Sequence, residues 1–356
     1  MKIILVTGGA GFIGSNFIRY YLSKYQDSIV INLDKLTYSG NLTNLDEIVN
    51  DSRYVFVKGD ILDKELVIKI LKGDYSPKGQ QVNMIIHFAA ESHVDRSIKD
   101  SSPFVQTNIV GTQVLLDAFR EIWNKDNEDM RFLHVSTDEV YGSLGKTGFF
   151  TENTSISPNS PYSASKASSD LLVRAYFETF KMPLLITRCS NNYGPFQFPE
   201  KLIPLVINNI VKQETIPVYG QGINIRDWLY VIDHCEALDV VLEDGKFGDV
   251  YNIGGNNEWK NIDIVNLLCD LVDEELGREK NSRNLIKFVQ DRLGHDMRYA
   301  IDATKIKDEL GWSPKYVFED GIIETVKWYL ANHNWLENVT SGAYTDYYLK
   351  QYGETL

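Results

Sequence analysis

The chain has 356 residues, 43% of them hydrophobic, and its formal net charge at pH 7 is −13. A chain of this length suits a large α/β unit with a second lobe rather than one small domain. Its acidity argues against binding to nucleic acid or to an anionic membrane, and no apolar run predicts a membrane span. The three cysteines form no C-x-x-C pair, which favours a reducing, cytoplasmic setting and no disulfide or metal site.

Short β-branched runs alternate with helical stretches through the first half of the chain. The predicted strands cover residues 2–7, 30–33, 54–57, 84–88, 131–135 and 184–188. The clearest predicted helices cover about 14–24, 107–123 and 163–180. Strands that alternate with helices predict βαβ units, and hence an α/β fold with a Rossmann-like, doubly wound parallel sheet.

After about residue 195 the strands become isolated, and helices at 203–212 and 262–276 are joined by irregular loops. We therefore predict a nucleotide-binding domain over 1–195 and a smaller α/β substrate-binding lobe over 196–356. Two later stretches, 229–235 and 250–254, are candidates to return to the first domain. The tyrosine-rich segment 344–352 is expected to dock on the protein, and we assign it no function.

Glycines follow the first predicted strand in the spacing G-x-x-G-x-x-G, at Gly8, Gly11 and Gly14. Glycines at a strand–turn–helix junction let the backbone approach a pyrophosphate, whose charge then lies at the helix N-terminus. Asp34 ends the second strand, where a carboxylate would accept hydrogen bonds from the adenine ribose. It would repel a 2′-phosphate, which favours NAD over NADP, although Lys35 beside it weakens that preference.

Two further strand ends carry candidate cofactor contacts. Asp60 and Ile61 follow the third strand and could flank the adenine. Phe88, Ala89 and Ala90 follow the fourth, and the two alanines would let a cofactor lie close to the carboxyl edge of the sheet. Phe88 could equally be a core aromatic.

Tyr162 and Lys166 form a Y-x-x-x-K pair on a predicted helix. Residues four apart share one helix face, so the ammonium can lie near the phenol. The Lys166 cation and the positively charged ring of a bound nicotinamide both favour the phenolate and are expected to lower the tyrosine pKa, which would make Tyr162 a base for a hydroxyl proton. The alternative is a surface Tyr–Lys pair without function.

A second constellation follows the fifth strand, where open α/β sheets bind ligands. Ser136 and Thr137 supply hydroxyls that can hold a sugar oxygen, and Asp138 and Glu139 are adjacent carboxylates. Like charge and partial burial should raise at least one of their pKa values, giving one acid and one base. A solvated acidic loop is the alternative.

Together, the glycine motif, the hydroxyl pair and Y-x-x-x-K resemble the extended short-chain dehydrogenase/reductase family. Within it, the Thr-Asp-Glu triplet is similar to that of the nucleotide-sugar 4,6-dehydratases, and several stretches are typical of members that act on dTDP-glucose. These stretches are residues 34–38, 87–97, 188–195 and 251–255. One position departs from the pattern, because Leu293 stands where a proline is expected.

The resemblance implies a hydro-lyase with tightly bound NAD that makes a 4-keto-6-deoxy sugar, as in dTDP-rhamnose and other deoxysugar synthesis. It assigns catalytic roles to Thr137, Asp138, Glu139, Tyr162 and Lys166. It adds further cofactor contacts at Phe12, Ile13, Leu36, Thr37, Ser92, Thr107, Ser136 and Asn192. It places the nucleotide sugar against Ser92, Thr137, Asn191, Lys201, Leu202, Pro217, Tyr219, Arg226, Asn261, Arg292 and His295.

The same resemblance implies a homodimer formed through two helices of each subunit, for which 107–123 and 163–180 are the candidates. Their apolar faces could instead pack on the sheet. A sugar-nucleotide 4-epimerase of the family is the alternative function, since it also needs Tyr162, Lys166 and NAD but leaves Asp138 and Glu139 without a task. A decarboxylase of the family and a non-enzymatic NAD-binding sensor are more distant alternatives.

Overall fold

The computed structural model describes residues 1–77, 79–127, 129–279, 281–341, 348 and 351. The strands are β1 (Lys2–Thr7), β2 (Ser28–Asp34), β3 (Tyr54–Lys58), β4 (Met84–His87), β5 (Arg131–Thr137), β6 (Leu184–Cys189), β7 (Asn191–Tyr193), β8 (Ile216–Tyr219), β9 (Ile225–Tyr230), β10 (Val250–Ile253), β11 (Glu258–Lys260) and β12 (Ile286–Val289). The α-helices are α1 (Phe12–Lys24), α2 (Lys64–Lys72), α3 (Val94–Lys99), α4 (Ser102–Phe104), α5 (Thr112–Ile122), α6 (Pro161–Phe180), α7 (Leu202–Lys212), α8 (Val231–Asp244), α9 (Asn261–Glu275), α10 (Thr304–Leu310), α11 (Phe318–Ala331) and α12 (His333–Val339).

Seven strands form one parallel sheet in the order β3-β2-β1-β4-β5-β6-β10. The predicted doubly wound α/β fold is therefore confirmed. The strand order reverses between β1 and β4, and ligands of such sheets bind where the order reverses, beyond the carboxyl ends of the strands. The glycine motif after β1 and the polar residues after β5 both lie at that edge.

Helices cover both faces of this sheet, which explains why its central strands are mostly apolar. One face packs against α1 and α8 around Ile4, Val6 and Leu133, all fully buried. The other face packs against α2, α5 and α6 around Leu5 and Phe132. With both faces shielded, the polar chemistry is confined to the edge of the sheet.

The helix predicted from residue 107 differs from the observed one. It begins earlier, with α4, and passes through a π-helical stretch, Val105–Gly111, before α5. π-helical turns are rare and often lie at functional sites. Here the stretch carries Thr107 at the cofactor cavity described below, and Asn108, whose side-chain amide hydrogen-bonds both the N–H and the C=O of Glu91.

Outside the large sheet, β7, β9 and β11 form a three-stranded sheet, and β8 pairs with β12. They surround a separate core built with α7, α9 and α11. Between them the chain returns to the first core, because β10 pairs with β6 and α8 packs on α1. The division of domains at residue 195 stays a prediction, and these two elements cross it.

Most of the tyrosine-rich segment 344–352 lies outside the described residues. Two of its positions are described. Tyr348 accepts a hydrogen bond from Asn209 (2.9 Å), and Gln351 donates one to the Tyr219 hydroxyl (2.8 Å). Within the described part of the chain, no helix combines the length and the apolar content needed to cross a membrane.

Candidate active site

A deep cavity lies along the carboxyl edge of the large sheet, between the turn after β1 and the ends of β2, β4, β5 and β6. Nearly all the predicted cofactor residues line it. They are Gly8, Gly11, Phe12, Ile13, Gly14, Asp34, Lys35, Thr37, Asp60, Ile61, Phe88, Ala89, Ala90, Ser92, Thr107, Ser136, Tyr162, Lys166 and Asn192. We call this space the cofactor cavity.

The turn after β1 can only be built from glycine at two of its positions. Gly8 has a φ of +72°, and a Cβ there would lie 2.7 Å from the Ala89 nitrogen. A Cβ on Gly14 would lie 2.4 Å from the Gly8 carbonyl oxygen. The backbone is thus stripped of side chains where α1 begins, which leaves the room and the exposed N–H groups that a pyrophosphate needs.

Asp34 is held in place by the chain around it. Its carboxylate accepts hydrogen bonds from the backbone N–H groups of Ala10 (2.9 Å) and Leu36 (2.8 Å). Burial raises the pKa of Asp34, while both hydrogen bonds oppose that rise. The carboxylate therefore faces the cavity in a fixed orientation, as an acceptor for ribose hydroxyls requires.

Leu36 is the one predicted cofactor residue that does not line the cavity. Its φ of +57° turns the backbone so that its N–H reaches Asp34. Lys35 also differs from the expectation, because its ammonium pairs with Asp60 at 2.6 Å and so is partly neutralised. The cavity fits NAD: it has a glycine turn free of Cβ atoms, an oriented carboxylate and a cation that is already paired.

The catalytic candidates meet where β5 ends and α6 begins. Thr137 caps the 3₁₀ turn Asp138–Tyr141, accepting a hydrogen bond from the Glu139 N–H at 3.3 Å. Ser160 caps α6 by accepting from the Ser163 N–H (3.0 Å), so the helix begins just before Tyr162. The Tyr162 hydroxyl thereby reaches the Thr137 side chain.

Lys166 lies one helical turn beyond Tyr162 and is almost fully buried. Its ammonium donates a hydrogen bond to the Val135 carbonyl at 2.8 Å, which fixes it against β5. Burial lowers the pKa of Lys166 to about 8. A buried ammonium with one protein acceptor still has donors to offer to a ligand in the cavity.

In the protein without its cofactor, the Tyr162 pKa is not lowered. Burial and the nearby charge of Glu139 raise the pKa of Tyr162 well above its usual value, and the hydrogen bond with Thr137 opposes them only in part. Desolvation of the phenolate therefore outweighs the favourable contacts that the chain alone provides. The positive ring of an oxidised nicotinamide is the charge that would have to make up the difference.

Asp138 and Glu139 have different electrostatic surroundings, as two adjacent carboxyls with separate tasks require. Burial raises the pKa of Asp138 well above its usual range, and the charge of Glu139 raises it further. Burial also raises the pKa of Glu139, but the cations Lys201, Arg226 and Arg292 act against that rise. The pKa of Asp138 is thus raised further than that of Glu139, which favours Asp138 as the acid and Glu139 as the base of the pair.

A second cavity opens on the other side of Glu139, between the large sheet and the second lobe. We call it the substrate cavity. Most of the predicted substrate residues line it: Asn191, Lys201, Leu202, Pro217, Tyr219, Arg226, Asn261, Arg292 and His295. Ser92 and Thr137 lie in the cofactor cavity instead, and Glu139, Asn191 and Lys201 border both.

Three cations converge on the substrate cavity from distant parts of the chain. Lys201 donates to the Ser92 carbonyl (2.9 Å), Arg226 to the Asp296 carbonyl (2.9 Å), and Arg292 pairs with Asp95 at 2.6 Å. Arg226 and Lys201 are each held mainly by carbonyl oxygens, so their positive charge remains available to an anion. The arrangement suits a diphosphate.

The far end of the cavity is aromatic. The Tyr219 hydroxyl donates to Asp95 at 3.1 Å, and the Arg292 guanidinium lies 5.1 Å from the Tyr219 ring centre. His295 hydrogen-bonds Asp291 at 2.6 Å beside them. Leu293, the one departure from the family pattern, is 74% exposed and does not line the cavity.

Sequence reasoning missed several residues that line the two cavities. Within the cofactor cavity they include Leu33, Ser39, Gly40, Gly59, Cys189, Gln197, Phe198 and Glu200. Within the substrate cavity they include His93, Ser160, Trp228, Asp296 and Tyr299. Most belong to loops without a recognisable spacing. Some signal was available for His93 and Cys189, which lie within the stretches 87–97 and 188–195, and for Glu200, whose neighbour Lys201 was predicted.

The chain is similar in sequence to known proteins. The profile of the family described as GDP-mannose 4,6 dehydratase matches residues 5–325. A dTDP-glucose 4,6-dehydratase of Escherichia coli is 54% identical, over 98% of this chain and 98% of that protein.

Solved structures agree. The dTDP-glucose 4,6-dehydratase of Bacillus anthracis, crystallised with NAD, superposes with a TM-score of 0.84 at 49% identity, covering 95% of this chain and 100% of that one. The Streptomyces venezuelae enzyme, crystallised with NAD and dTDP, superposes with a TM-score of 0.86 at 46% identity, covering 95% and 99%.

Proposed function

Since the chain belongs to the GDP-mannose 4,6-dehydratase family, we propose that it converts dTDP-glucose to dTDP-4-keto-6-deoxyglucose and water. It is an NAD-dependent hydro-lyase of the short-chain dehydrogenase/reductase type. The observation that carries the assignment is the Asp138–Glu139 pair at the junction of the two cavities, where burial raises the pKa of both carboxyls and three cations oppose that rise at Glu139. A 4-epimerase removes no water, so it would leave this pair without a task.

The glycine turn, Asp34 and Lys166 would hold the cofactor. When bound, NAD accepts a hydride from C4 of the sugar and returns it at C6. Tyr162 removes the proton of the C4 hydroxyl as the C4–H bond breaks, and Thr137 hydrogen-bonds the same oxygen. The Lys166 ammonium stabilises the phenolate that Tyr162 forms.

The resulting C4 ketone acidifies the hydrogen on C5. Glu139 takes that proton, while Asp138 gives its own proton to the departing C6 hydroxyl, so that the C6–O bond breaks and water leaves. Hydride return at C6 is then balanced by a proton returned to C5 from Glu139. The C4 oxygen remains a ketone, so the cycle closes when Tyr162 releases to solvent the proton that it took from the C4 hydroxyl and Asp138 takes one proton up from solvent.

Product mass tests this function directly. Purified protein incubated with dTDP-glucose should yield a product lighter by one water, without net accumulation of NADH, because the cofactor is regenerated. An unchanged mass with formation of dTDP-galactose would establish a 4-epimerase instead. Unchanged dTDP-glucose would refute the assignment of substrate.

The pH dependence of turnover should respond to Lys201. Its positive charge lowers the pKa of Glu139, so a Lys201→Met substitution should raise that pKa. More Glu139 is then protonated at any given acidic pH, and the fall of kcat on the acid side should begin at a higher pH. The measurement is kcat against pH at saturating dTDP-glucose.

Lys327→Met is the matched control for this profile, because Lys327 is exposed on α11 and pairs weakly with Glu324 at 4.0 Å. Its acid-side profile should match that of the wild type. An unshifted profile for Lys201→Met would mean that Lys201 does not set the ionisation of the base.

We also propose that the enzyme is a cytoplasmic homodimer. On the predicted dimer helix 163–180, Leu171 exposes 52% of its surface, and Val105, two residues before the other predicted helix, exposes 43%, although most apolar residues of these helices pack on the sheet. Burying those side chains against a second copy would remove apolar surface from water. Three buried cysteines with free thiols fit a reducing compartment. Light scattering should give twice the chain mass, and a monomer would refute the dimer.

A further inference from the structure

Four side chains from three separate segments meet at the rim of the cofactor cavity. They are Tyr38, Arg96, Phe198 and Glu200, which we call the rim cluster. The Arg96 guanidinium lies 3.7 Å from the Tyr38 ring centre, and its Nε is 3.0 Å from the Glu200 carboxylate. Phe198 meets the Tyr38 ring edge-on, with 5.7 Å between ring centres. A cation–π stack, an ion pair and an edge-on aromatic contact thus hold these four side chains together.

The rim cluster joins the two sides of the cavity. Thr37 and Ser39 flank Tyr38 and line one side, directly after the Asp34 carboxylate. Phe198 and Glu200 line the opposite side, on the loop before α7. Arg96 comes from α3 and contacts both. Arg96 thus links the segment after β2 to the loop before α7, and replacing its side chain would remove that link.

The contacts within the rim cluster are stronger than those of exposed surface groups, because water is largely excluded from them. The Glu200 side chain is only 2% exposed and the Arg96 side chain 26%, so their ion pair is largely shielded from water. Burial raises the pKa of Tyr38 well above its usual value, which shows how little water reaches its hydroxyl. Glu200 also hydrogen-bonds that hydroxyl. Cation–π stacking gains strength when the cation is desolvated in this way.

We infer that the rim cluster is a closure that keeps the cofactor in its cavity between the two hydride transfers. This inference rests on the proposed function, because only a reaction that reuses its cofactor needs such retention. A cofactor that has received the hydride from C4 of the sugar must stay bound until the hydride is returned to C6. If it leaves before then, the sugar remains as a 4-keto compound that cannot be completed. Arg96 is therefore a positioning residue, and it takes no part in proton transfer.

Cofactor release tests the closure without any sugar. Holoenzyme loaded with isotopically labelled NAD is diluted into excess unlabelled NAD, and loss of the label is followed with time. We expect Arg96→Ala to release the label at least tenfold faster than the wild type. Arg96→Lys keeps a cation for Glu200 but loses the planar stack, so its rate should fall between the two.

Arg120→Ala is the matched control. Arg120 on α5 also stacks on an aromatic ring, that of Phe180 at 4.5 Å, and pairs with a carboxylate, that of Asp117 at 3.6 Å. It does not line the cofactor cavity. Removing it should cost the same kind of contacts and leave the release rate unchanged.

The outcomes separate the closure from the function. Wild-type protein that dehydrates dTDP-glucose, together with Arg96→Ala and Arg96→Lys variants that release label at the wild-type rate, would overturn the closure alone. Faster release from Arg96→Ala, with dTDP-glucose left unchanged by the wild type, would support the closure and overturn the proposed function. If Arg96→Ala does not fold, the release of labelled NAD is measured for Arg96→Lys and Tyr38→Phe instead; the latter loses only the hydroxyl bound by Glu200. Faster release than in the wild type would support the closure, and release at the wild-type rate would overturn it.

Discussion

A Tyr162→Phe variant is expected to bind NAD and dTDP-glucose and yet to leave the nicotinamide oxidised. The substitution removes one oxygen atom from a nearly buried ring that also packs edge-on against Phe104 at 6.3 Å, so the packing should survive. Without the phenol, no group takes the C4 hydroxyl proton, and a positioned base is worth about 10²–10⁴-fold in rate. Absorbance of reduced nicotinamide in a single turnover measures the step directly.

Tyr176→Phe provides the same chemical change on the same helix. The Tyr176 hydroxyl donates to Asp117 at 2.7 Å, far from either cavity, so this variant should reduce its cofactor at the wild-type rate. Normal formation of reduced nicotinamide by Tyr162→Phe would remove Tyr162 from the role of base. The Thr137 hydroxyl, which it contacts, would then be the next group to test.

A Glu139→Gln variant is expected to oxidise C4 and then to stop. Glutamine keeps the shape of the side chain but cannot take the C5 proton, so reduced cofactor should accumulate on the enzyme and overall turnover should fall about 10²–10⁴-fold. The measurements are the absorbance of the trapped reduced cofactor and the incorporation of solvent deuterium at C5, which should be absent.

Asp138→Asn separates the two carboxyls. If Asp138 is the acid for the C6 hydroxyl, this variant should still exchange the C5 proton with solvent while losing no water. Deuterium at C5 in Glu139→Gln, or its absence in Asp138→Asn alone, would reverse the two assignments. Turnover unchanged in Glu139→Gln would exclude Glu139 from the reaction.

The features that were predictable from sequence are those encoded by local spacing. The turn from Gly8 to Gly14 and the pair Tyr162–Lys166 each lie within seven residues, and backbone geometry alone brings their members together. Parallel strands place their carboxyl ends at one edge, which is why Asp34 and Glu139 could be assigned to one site although the chain separates them by more than 100 residues.

Other features depend on packing between segments whose contacts no spacing encodes. The rim contact of Arg96 with Glu200 joins residues that are 104 positions apart in the chain. Leu36 contributes through its backbone N–H, which donates a hydrogen bond to Asp34, and not through its side chain. The raised pKa of Tyr162 in the absence of cofactor could not be predicted, because proximity to Lys166 is visible in the sequence, whereas the desolvation of the phenol depends on the whole folded site. The π-helical stretch near Thr107 likewise leaves no mark in the apolar pattern.

Glu200 and Lys201 are consecutive residues that line both cavities and act on different partners. The Glu200 carboxylate holds Arg96 in the rim cluster, whereas the Lys201 ammonium favours the ionised form of Glu139. In an enzyme closed by the rim cluster, moving this loop to admit or release the nucleotide cofactor would also draw the Lys201 charge away from the base. Retention of the cofactor and ionisation of the base would therefore change together, through one movement of one loop.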